Sequence, residues 1–216
     1  MTTDHHDIDA KDVALEEFVS ARVAGLQARY RRDDPPAVAA LARLRRGVAT
    51  PAGSRPDLWV YTLDKLPPLL TDSAADRNGT PTAWEQAAHD AITLHAWHQQ
   101  SRSDGMHRRG TSLGTAARIL GWRSNSEQAV RRRFHALGAT SQHSVRLGHL
   151  RGLVSQFRTE SISLDYGRLA RDLRRLGDPA TAAAVLLEWG RDYHREYPVK
   201  SSGTEQASDF VKGESA

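Results

Sequence analysis

Apolar residues recur along this chain at intervals of three and four, and no segment alternates apolar and polar residues long enough to form a strand. A helix with an apolar stripe needs another helix to cover that stripe, so the pattern favours helices packed in bundles. We therefore predict an all-α protein. The spacing indicates eight or nine helices, at about 13–30, 35–46, 58–66, 82–100, 112–120, 124–137, 141–158, 163–176 and 179–197.

Polar segments divide the chain into parts. A loop at 101–111 separates two groups of predicted helices, and the final stretch "VKSSGTEQASDFVKGESA" is too polar to pack. With 216 residues, the chain is long enough to build two compact halves. We predict two small helical bundles, an N-terminal one at 1–110 and a basic C-terminal one at 111–198, followed by a disordered tail at 199–216.

Individual residues predict where several helices begin and end. Ser124 and Glu127 have the Ser-x-x-Glu spacing of a capping box, which predicts a helix that begins directly after Ser124. Gly121 and Gly138 follow periodic segments and are expected to end them. Side chains that accept hydrogen bonds from first-turn amides precede four further helices, at Thr82, Ser112, Asp165 (or Ser163) and Asp178.

The composition excludes several classes of protein. The chain contains no cysteine, so it has neither a disulfide framework nor a thiolate metal site, as is usual in a reducing cytosol. The N-terminal "MTTDHHDIDAKDVALEEF" is acidic and lacks the apolar core of a signal peptide, and no later run of about 18 apolar residues is present. We expect a soluble, cytoplasmic protein with no membrane partner.

Positive charge is concentrated in one segment. The formal net charge is +4, but residues 101–176 contain 15 arginines and five acidic residues, so this segment carries +10 and the remainder −6. Only four of the 30 basic residues are lysine. The planar guanidinium of arginine suits phosphate oxygens and stacked bases better than an ammonium does. The clustering predicts that this segment binds a polyanion.

Helical geometry places the arginines of "QAVRRRFHAL" relative to the core. If Val130, Phe134 and Leu137 form the buried stripe, then Arg131 and Arg132 point away from it. Nothing in this pattern specifies a particular base sequence. Four neighbouring arginines extend the predicted basic face, namely Arg108 and Arg109 in the preceding loop and Arg118 and Arg123 beside the next turn.

Two enzyme-like patterns have weaker support. His89 and Asp90 resemble the His-Asp pair of metal-dependent phosphohydrolases, but the further ligands of such a site are not recognisable. The loop "GMHRRGTSLG" places glycines before a helix, where amides bind anions, but it lacks the Lys-Ser/Thr ending of a nucleotide-binding loop. We predict no catalytic residue, no cofactor and no metal, and keep a phosphohydrolase as a third hypothesis.

A helix-turn-helix regulator is the main alternative function. "TAARILGW" followed by "QAVRRRFHAL" has the outline of a support helix, a turn and a recognition helix. However, Val130 follows Gly121 by nine residues, whereas about six is usual in that motif. Much tighter binding to one duplex site than to random DNA would distinguish such a regulator from a sequence-independent nucleic-acid-binding protein.

Several segments, taken in order, are similar to one known family. They are "ALARLRRG", "GTSLGTAARIL", "RRRFHALGA", "HLRGLVSQFRTESISLDYGRLARDLRRL" and "VLLEWGRDYHREY". Their succession resembles CasB, the small helical subunit of the type I-E CRISPR surveillance complex Cascade, over residues 13–197. The most specific parts are Ser112-Leu113-Gly114, Arg131 to Arg133, Leu164-Asp165-Tyr166, Asp172-Leu173 and Trp189-Gly190.

The resemblance implies a non-catalytic protein of two helical bundles. Two copies would lie along an RNA-guided complex, in contact with its backbone and large subunits, and would help to hold crRNA-guided target DNA open by sequence-independent contacts to the displaced strand. Arg108 and Arg109 are added to the predicted site on the charge argument alone. The family's basic groove corresponds in this sequence to Arg45, Arg46, Arg118, Arg123, Arg131, Arg132 and Arg146.

Overall fold

The computed structural model describes residues 2–71, 79–124 and 126–195, and within these ranges it contains helices and no strand. The predicted all-α class is confirmed. Short 3-10 turns lie at Arg45–Gly47, Pro56–Leu58 and Pro68–Leu70. The α-helices of the described residues are α1 (Thr2–Tyr30), α2 (Pro35–Leu44), α3 (Trp59–Thr62), α4 (Ala83–Gln99), α5 (Leu113–Arg123), α6 (Glu127–Ala139), α7 (His143–Thr159), α8 (Tyr166–Leu176) and α9 (Pro179–His194).

Local capping signals explain where most helices begin. Thr82 forms a complete capping box with Glu85 at the start of α4. Ser112, Asp165 and Asp178 likewise each accept a hydrogen bond from a backbone N–H in the first turn of α5, α8 and α9, as predicted. The predicted tail at 199–216 lies outside the described residues.

The first helix begins earlier than predicted. Helix α1 starts at Thr2 rather than near residue 13. The polar segment before Val13 contains neither glycine nor proline, and Lys11 forms an i,i+4 ion pair of 3.0 Å with Asp7. Acidic residues near a helix N-terminus are also favourable for the helix dipole. Helix α1 therefore extends to Thr2 although the residues before Val13 lack apolar periodicity.

The predicted boundary between α5 and α6 is wrong. Helix α5 continues through Gly121 to Arg123, and Ser124 is its C-terminal cap, so the expected capping box does not form. Helix α6 begins at Glu127 after Ser126, whose side chain makes no capping bond. Tertiary contacts account for the difference, because the Gly121 backbone is buried against Glu127 and the hydroxyl of Tyr193. Similarly, α6 passes Gly138 and ends at Ala139.

Helices from the two predicted halves share one apolar core. Helix α1 packs along α8, α4 packs against α7 and α8, and α5 packs against α9. Helices α1 and α8 approach each other closely at Gly167, where a Cβ atom would lie 2.5 Å from the carbonyl oxygen of Glu16. A buried ion pair between Asp12 and Arg174 joins the same two helices. The division at residue 110 stays a prediction.

None of the helices in the described ranges combines the length and the hydropathy needed to cross a bilayer.

Candidate nucleic-acid interface

Helices α5 and α6 form a hairpin that carries much of the predicted basic face. Leu113, Ala117 and Leu120 of α5 are buried. The predicted stripe of α6 is confirmed, since Val130, Phe134 and Leu137 are all buried. The Phe134 ring stacks on Tyr193 of α9 with centroids 5.1 Å apart. The opposite side of α6 is consequently left to solvent.

Arg131, Arg132 and Arg133 occupy that outer side of α6 and are exposed. None of them forms an ion pair with a described acidic side chain. Arg131 lies near the Tyr193 hydroxyl, whose pKa is raised by burial and by Glu127 and lowered by Arg131. The cluster therefore presents guanidinium groups to solvent at the edge of a packed aromatic pair.

Backbone carbonyl groups orient the two arginines of α5. The exposed Arg123 donates a 2.8 Å hydrogen bond from Nη1 to the carbonyl oxygen of Glu160. Arg118 is half-buried and donates to the carbonyl oxygen of Arg195. Each guanidinium is thereby held by a neutral acceptor, so its positive charge is not cancelled by these bonds.

The two arginines of the preceding loop differ in their electrostatic surroundings. Arg109 forms a two-pronged contact with Glu17, with Nη–Oε distances of 2.8 and 2.6 Å, and this hydrogen bond lowers the pKa of Glu17. Arg108 is exposed and has no ion-pair partner among the described residues. The loop therefore offers an uncompensated charge at Arg108 and a largely neutral pair at Arg109.

Arg146 is placed differently from the other predicted arginines. Its side chain is 5 % exposed, and it donates to the carbonyl oxygens of Leu137 and Thr140 at the end of α6. Burial lowers the pKa of its guanidinium. Because these carbonyls have no partner within the helix, Arg146 acts as a C-terminal cap that positions α6.

Arg45 and Arg46 lie in the N-terminal half, in the 3-10 turn that follows α2. Arg46 is exposed and Arg45 is half-buried. Gly47 fixes the position of this turn, because a Cβ atom there would lie 3.1 Å from the Thr93 side chain of α4. The turn is therefore rigidly attached to the core.

Trp122 is an exposed residue that the sequence analysis did not single out. It lies on the last turn of α5 and is 82 % exposed. The sequence does indicate this exposure, because a residue two positions after the buried Leu120 faces away from the apolar stripe of the helix. The indole therefore belongs to the same surface as Arg123.

The histidines of α4 are buried among protein partners. Nε2 of His89 lies 3.1 Å from both the Gly47 carbonyl oxygen and Thr50 Oγ1. Oδ2 of the buried Asp90 lies 2.7 Å from Nε2 of His143, so this carboxylate contacts His143 and not the imidazole of His89. In the described part of the chain, no three His, Cys, Asp or Glu residues are grouped so as to hold a metal ion.

A second group of aromatic and imidazole rings fills the space between α4 and α8. His98 Nδ1 lies 2.9 Å from the Tyr166 hydroxyl, and His107 Nδ1 accepts a hydrogen bond from the Tyr166 amide. Burial lowers the pKa of His98 to about 3 and the pKa of His95 well below its usual value. These imidazoles are therefore neutral packing groups at pH 7.

The glycine-rich loop is stabilised from within the protein. The Gly110 amide donates a 2.7 Å hydrogen bond to Oδ2 of Asp165, the capping residue of α8. Gly114 permits close packing, because a Cβ atom there would lie 3.0 Å from Asp192 Cβ. The Gly110 amide is thus bound by a carboxylate, and this bond joins the loop before α5 to the N-terminus of α8.

Comparisons with known proteins identify the family. The family model described as CRISPR-associated protein Cse2 matches residues 40–194. The crystal structure of CasB from Thermobifida fusca is similar, with a TM-score of 0.66 and 37% sequence identity over 84% of this chain and 98% of that chain. No curated protein matches the chain. Since the family model covers well over half of the sequence, this chain belongs to the Cse2 family, to which the resemblance in its sequence pointed.

Proposed function

We propose that this chain is the non-catalytic small subunit of a type I-E Cascade complex and that it stabilises the R-loop through contacts to the displaced DNA strand. Membership of the Cse2 family supports its place in Cascade. The observation that carries the DNA contact is the adjacent pair Arg131 and Arg132, which is exposed and lacks an acidic partner in the described residues.

The energetics of an R-loop make such contacts effective. The RNA–DNA heteroduplex that forms is about as stable as the DNA duplex that it replaces. Modest contacts to the displaced strand therefore shift the equilibrium towards the open R-loop. Guanidinium groups that bind phosphates supply a sequence-independent attraction. A surface that contacts phosphates and does not read bases can bind the displaced strand of any target sequence.

Two of the predicted arginines are left out of the proposed surface. Arg109 contributes less because Glu17 offsets its charge, and Arg146 supports α6 from inside. A second copy of the chain beside this one in the complex would extend the surface. The proposed phosphate contacts are Arg131, Arg132, Arg108, Arg118 and Arg123, continued in the N-terminal half by Arg45 and Arg46.

Salt-dependent binding of single-stranded DNA tests this proposal. Arg131→Ala/Arg132→Ala should weaken binding equally for unrelated sequences and reduce the slope of log affinity against log salt by about 0.7 for each lost phosphate contact. The matched control is Arg31→Ala/Arg32→Ala, which removes two adjacent exposed arginines outside the proposed surface. An unchanged slope in the first variant contradicts the proposal, and strong preference for one duplex site would favour a regulator instead.

The absence of catalysis is tested separately. The purified protein, supplied with divalent metal ions, should show no nuclease, phosphatase or ATPase activity. A turnover that disappears in His89→Ala or Asp90→Ala would overturn this part of the proposal and favour the phosphohydrolase hypothesis.

A further inference from the structure

We infer that Trp122, at the end of α5, is a stacking platform for an unpaired nucleobase. The inference rests on the proposed function, since it names a second kind of contact by which the same surface holds single-stranded DNA. Trp122 is 82 % exposed, more than any other large apolar side chain in the described residues. Contact of this ring with a ligand would remove its apolar surface from water, which is favourable.

The backbone beneath Trp122 is held firmly. The preceding Leu120 and Gly121 are buried, and a Cβ atom at Gly121 would lie 3.4 Å from Glu127 at the start of α6. The following Arg123 is fixed by its hydrogen bond to the Glu160 carbonyl oxygen. An indole has only two side-chain torsions, so a base that stacks on it orders few additional degrees of freedom.

Several arginines lie close to Trp122 along α5 and on the neighbouring α6. Arg118 precedes Trp122 by four residues and so lies on the same side of α5, and Arg123 is its neighbour in sequence. Arg131 follows Glu127 by four residues and so lies on the same side of α6, and Glu127 lies beside Gly121, the residue before Trp122.

Two acidic residues are also nearby and reduce this potential. Glu127 begins α6, and its charge raises the pKa of the Tyr193 hydroxyl. Glu160 contacts Arg123 through its backbone carbonyl. Arg123 and Arg131 are exposed and place positive charge on the hairpin that carries Trp122, and Glu127 offsets part of it.

The chemistry around Trp122 favours a nucleobase over a protein partner. Protein-binding tryptophans lie within apolar patches whose rims exclude water. In the described residues of α5 and α6, Trp122 is the one large apolar side chain that is exposed. An isolated aromatic ring among arginines instead matches single-strand binding, in which bases stack on aromatic side chains while cations bind the phosphates.

The test compares an oligothymidylate of about 20 nucleotides, the length of a guide heteroduplex, with an abasic oligomer of equal length. Trp122→Leu should reduce affinity for the oligothymidylate by about 5- to 100-fold, as expected for loss of base–aromatic stacking. Affinity for the abasic oligomer and the salt slope should stay unchanged, because phosphate contacts remain. Trp122→Phe should restore most of the affinity, and wild-type protein should prefer the oligomer that has bases.

The outcomes separate this inference from the proposed function. If wild-type protein does not bind single strands, both fail. If the Arg131 and Arg132 variant loses binding while Trp122→Leu binds both oligomers normally, only the stacking inference is overturned. It is also overturned if Trp122→Leu impairs assembly with the other Cascade subunits but not binding of the oligothymidylate, since Trp122 would then face a protein. If the wild-type protein does not prefer the oligomer that has bases, the stacking inference is overturned whether or not Trp122→Leu folds.

Discussion

Nε1 of Trp189 donates a 2.7 Å hydrogen bond to Oδ2 of Asp172, and both side chains are buried where α9 packs on α8. Both residues belong to the segments through which the sequence resembles its family, so these segments contain core residues as well as the basic surface. Among the described residues, the second oxygen of Asp172 has no hydrogen-bond partner, although Nη2 of Arg171 lies 3.6 Å away. Burial raises the pKa of Asp172 to about 6, against the opposing effect of the Trp189 bond.

The carboxyl of Asp172 should make stability depend on pH. Because the folded protein keeps this proton up to about pH 6 whereas the unfolded chain loses it near pH 4, the group favours folding most below pH 4 and loses that contribution as the pH rises through 6. Asp172→Asn should abolish this loss of unfolding free energy, which amounts to at most about 3 kcal/mol. The asparagine oxygen can still accept the hydrogen bond from Trp189. Urea unfolding between pH 4 and 7 measures the difference, and a pH-independent difference contradicts the assignment.

The buried histidines should act in the opposite direction. The pKa of His98 is lowered to about 3, so only the unfolded chain takes up a proton as the pH falls below about 6.5, and stability is lost towards acid. His98→Asn should reduce the slope of unfolding free energy against pH between 6 and 4 by up to about 1.4 kcal/mol per pH unit. The exposed His149→Asn serves as control. Equal slopes in both variants would exclude this role of His98.

The ion pair of Asp12 and Arg174 should contribute strongly to stability where α1 packs on α8. Both residues are buried, and Asp12 also accepts from the indole of Trp84. Asp12→Ala leaves the buried guanidinium of Arg174 with only its 3.7 Å pair to the more exposed Asp178 and should cost about 3–5 kcal/mol. The comparison is Lys11→Ala, which removes a more exposed pair with Asp7 and should cost less than about 1 kcal/mol. Similar costs from denaturant titration would contradict this prediction.

Gly167 should tolerate no side chain. Its missing Cβ lets α8 approach α1, where the carbonyl oxygen of Glu16 would lie 2.5 Å from an added methyl group. Gly167→Ala should destabilise the protein by about 1–3 kcal/mol or more, because backbone must move. Gly152→Ala on α7 meets open space and should instead stabilise by up to about 1 kcal/mol. Thermal unfolding of the two variants should shift in opposite directions.

Arg146 should affect stability and leave nucleic-acid binding unchanged. Arg146→Ala removes two hydrogen bonds from the end of α6 and should cost about 1.5–3 kcal/mol. At temperatures where the variant is folded, its salt slope for single-stranded DNA should equal that of the wild type, since the guanidinium is buried. A reduced slope with normal stability would instead place Arg146 on the binding surface.

Local sequence determined most of the helices and the orientation of α6. Capping at Thr82, Ser112, Asp165 and Asp178 depends on a side chain and amides two or three residues away, so it is visible in the sequence. The exposure of Arg131 and Arg132 follows from their angle to the buried stripe of the same helix. These features need no knowledge of the rest of the chain.

Tertiary structure decided the features that depend on residues distant in sequence. Contacts with Glu127 and Tyr193 carry α5 past Gly121, although the local pattern predicted an end there. Arg109 and Arg146 have the same predicted charge as Arg131, but Glu17 offsets the first and the end of α6 buries the second. The sequence alone thus specified which segments are helical and which faces are apolar. The packing determined which charges and rings remain exposed, because burial depends on the segments that come together in space.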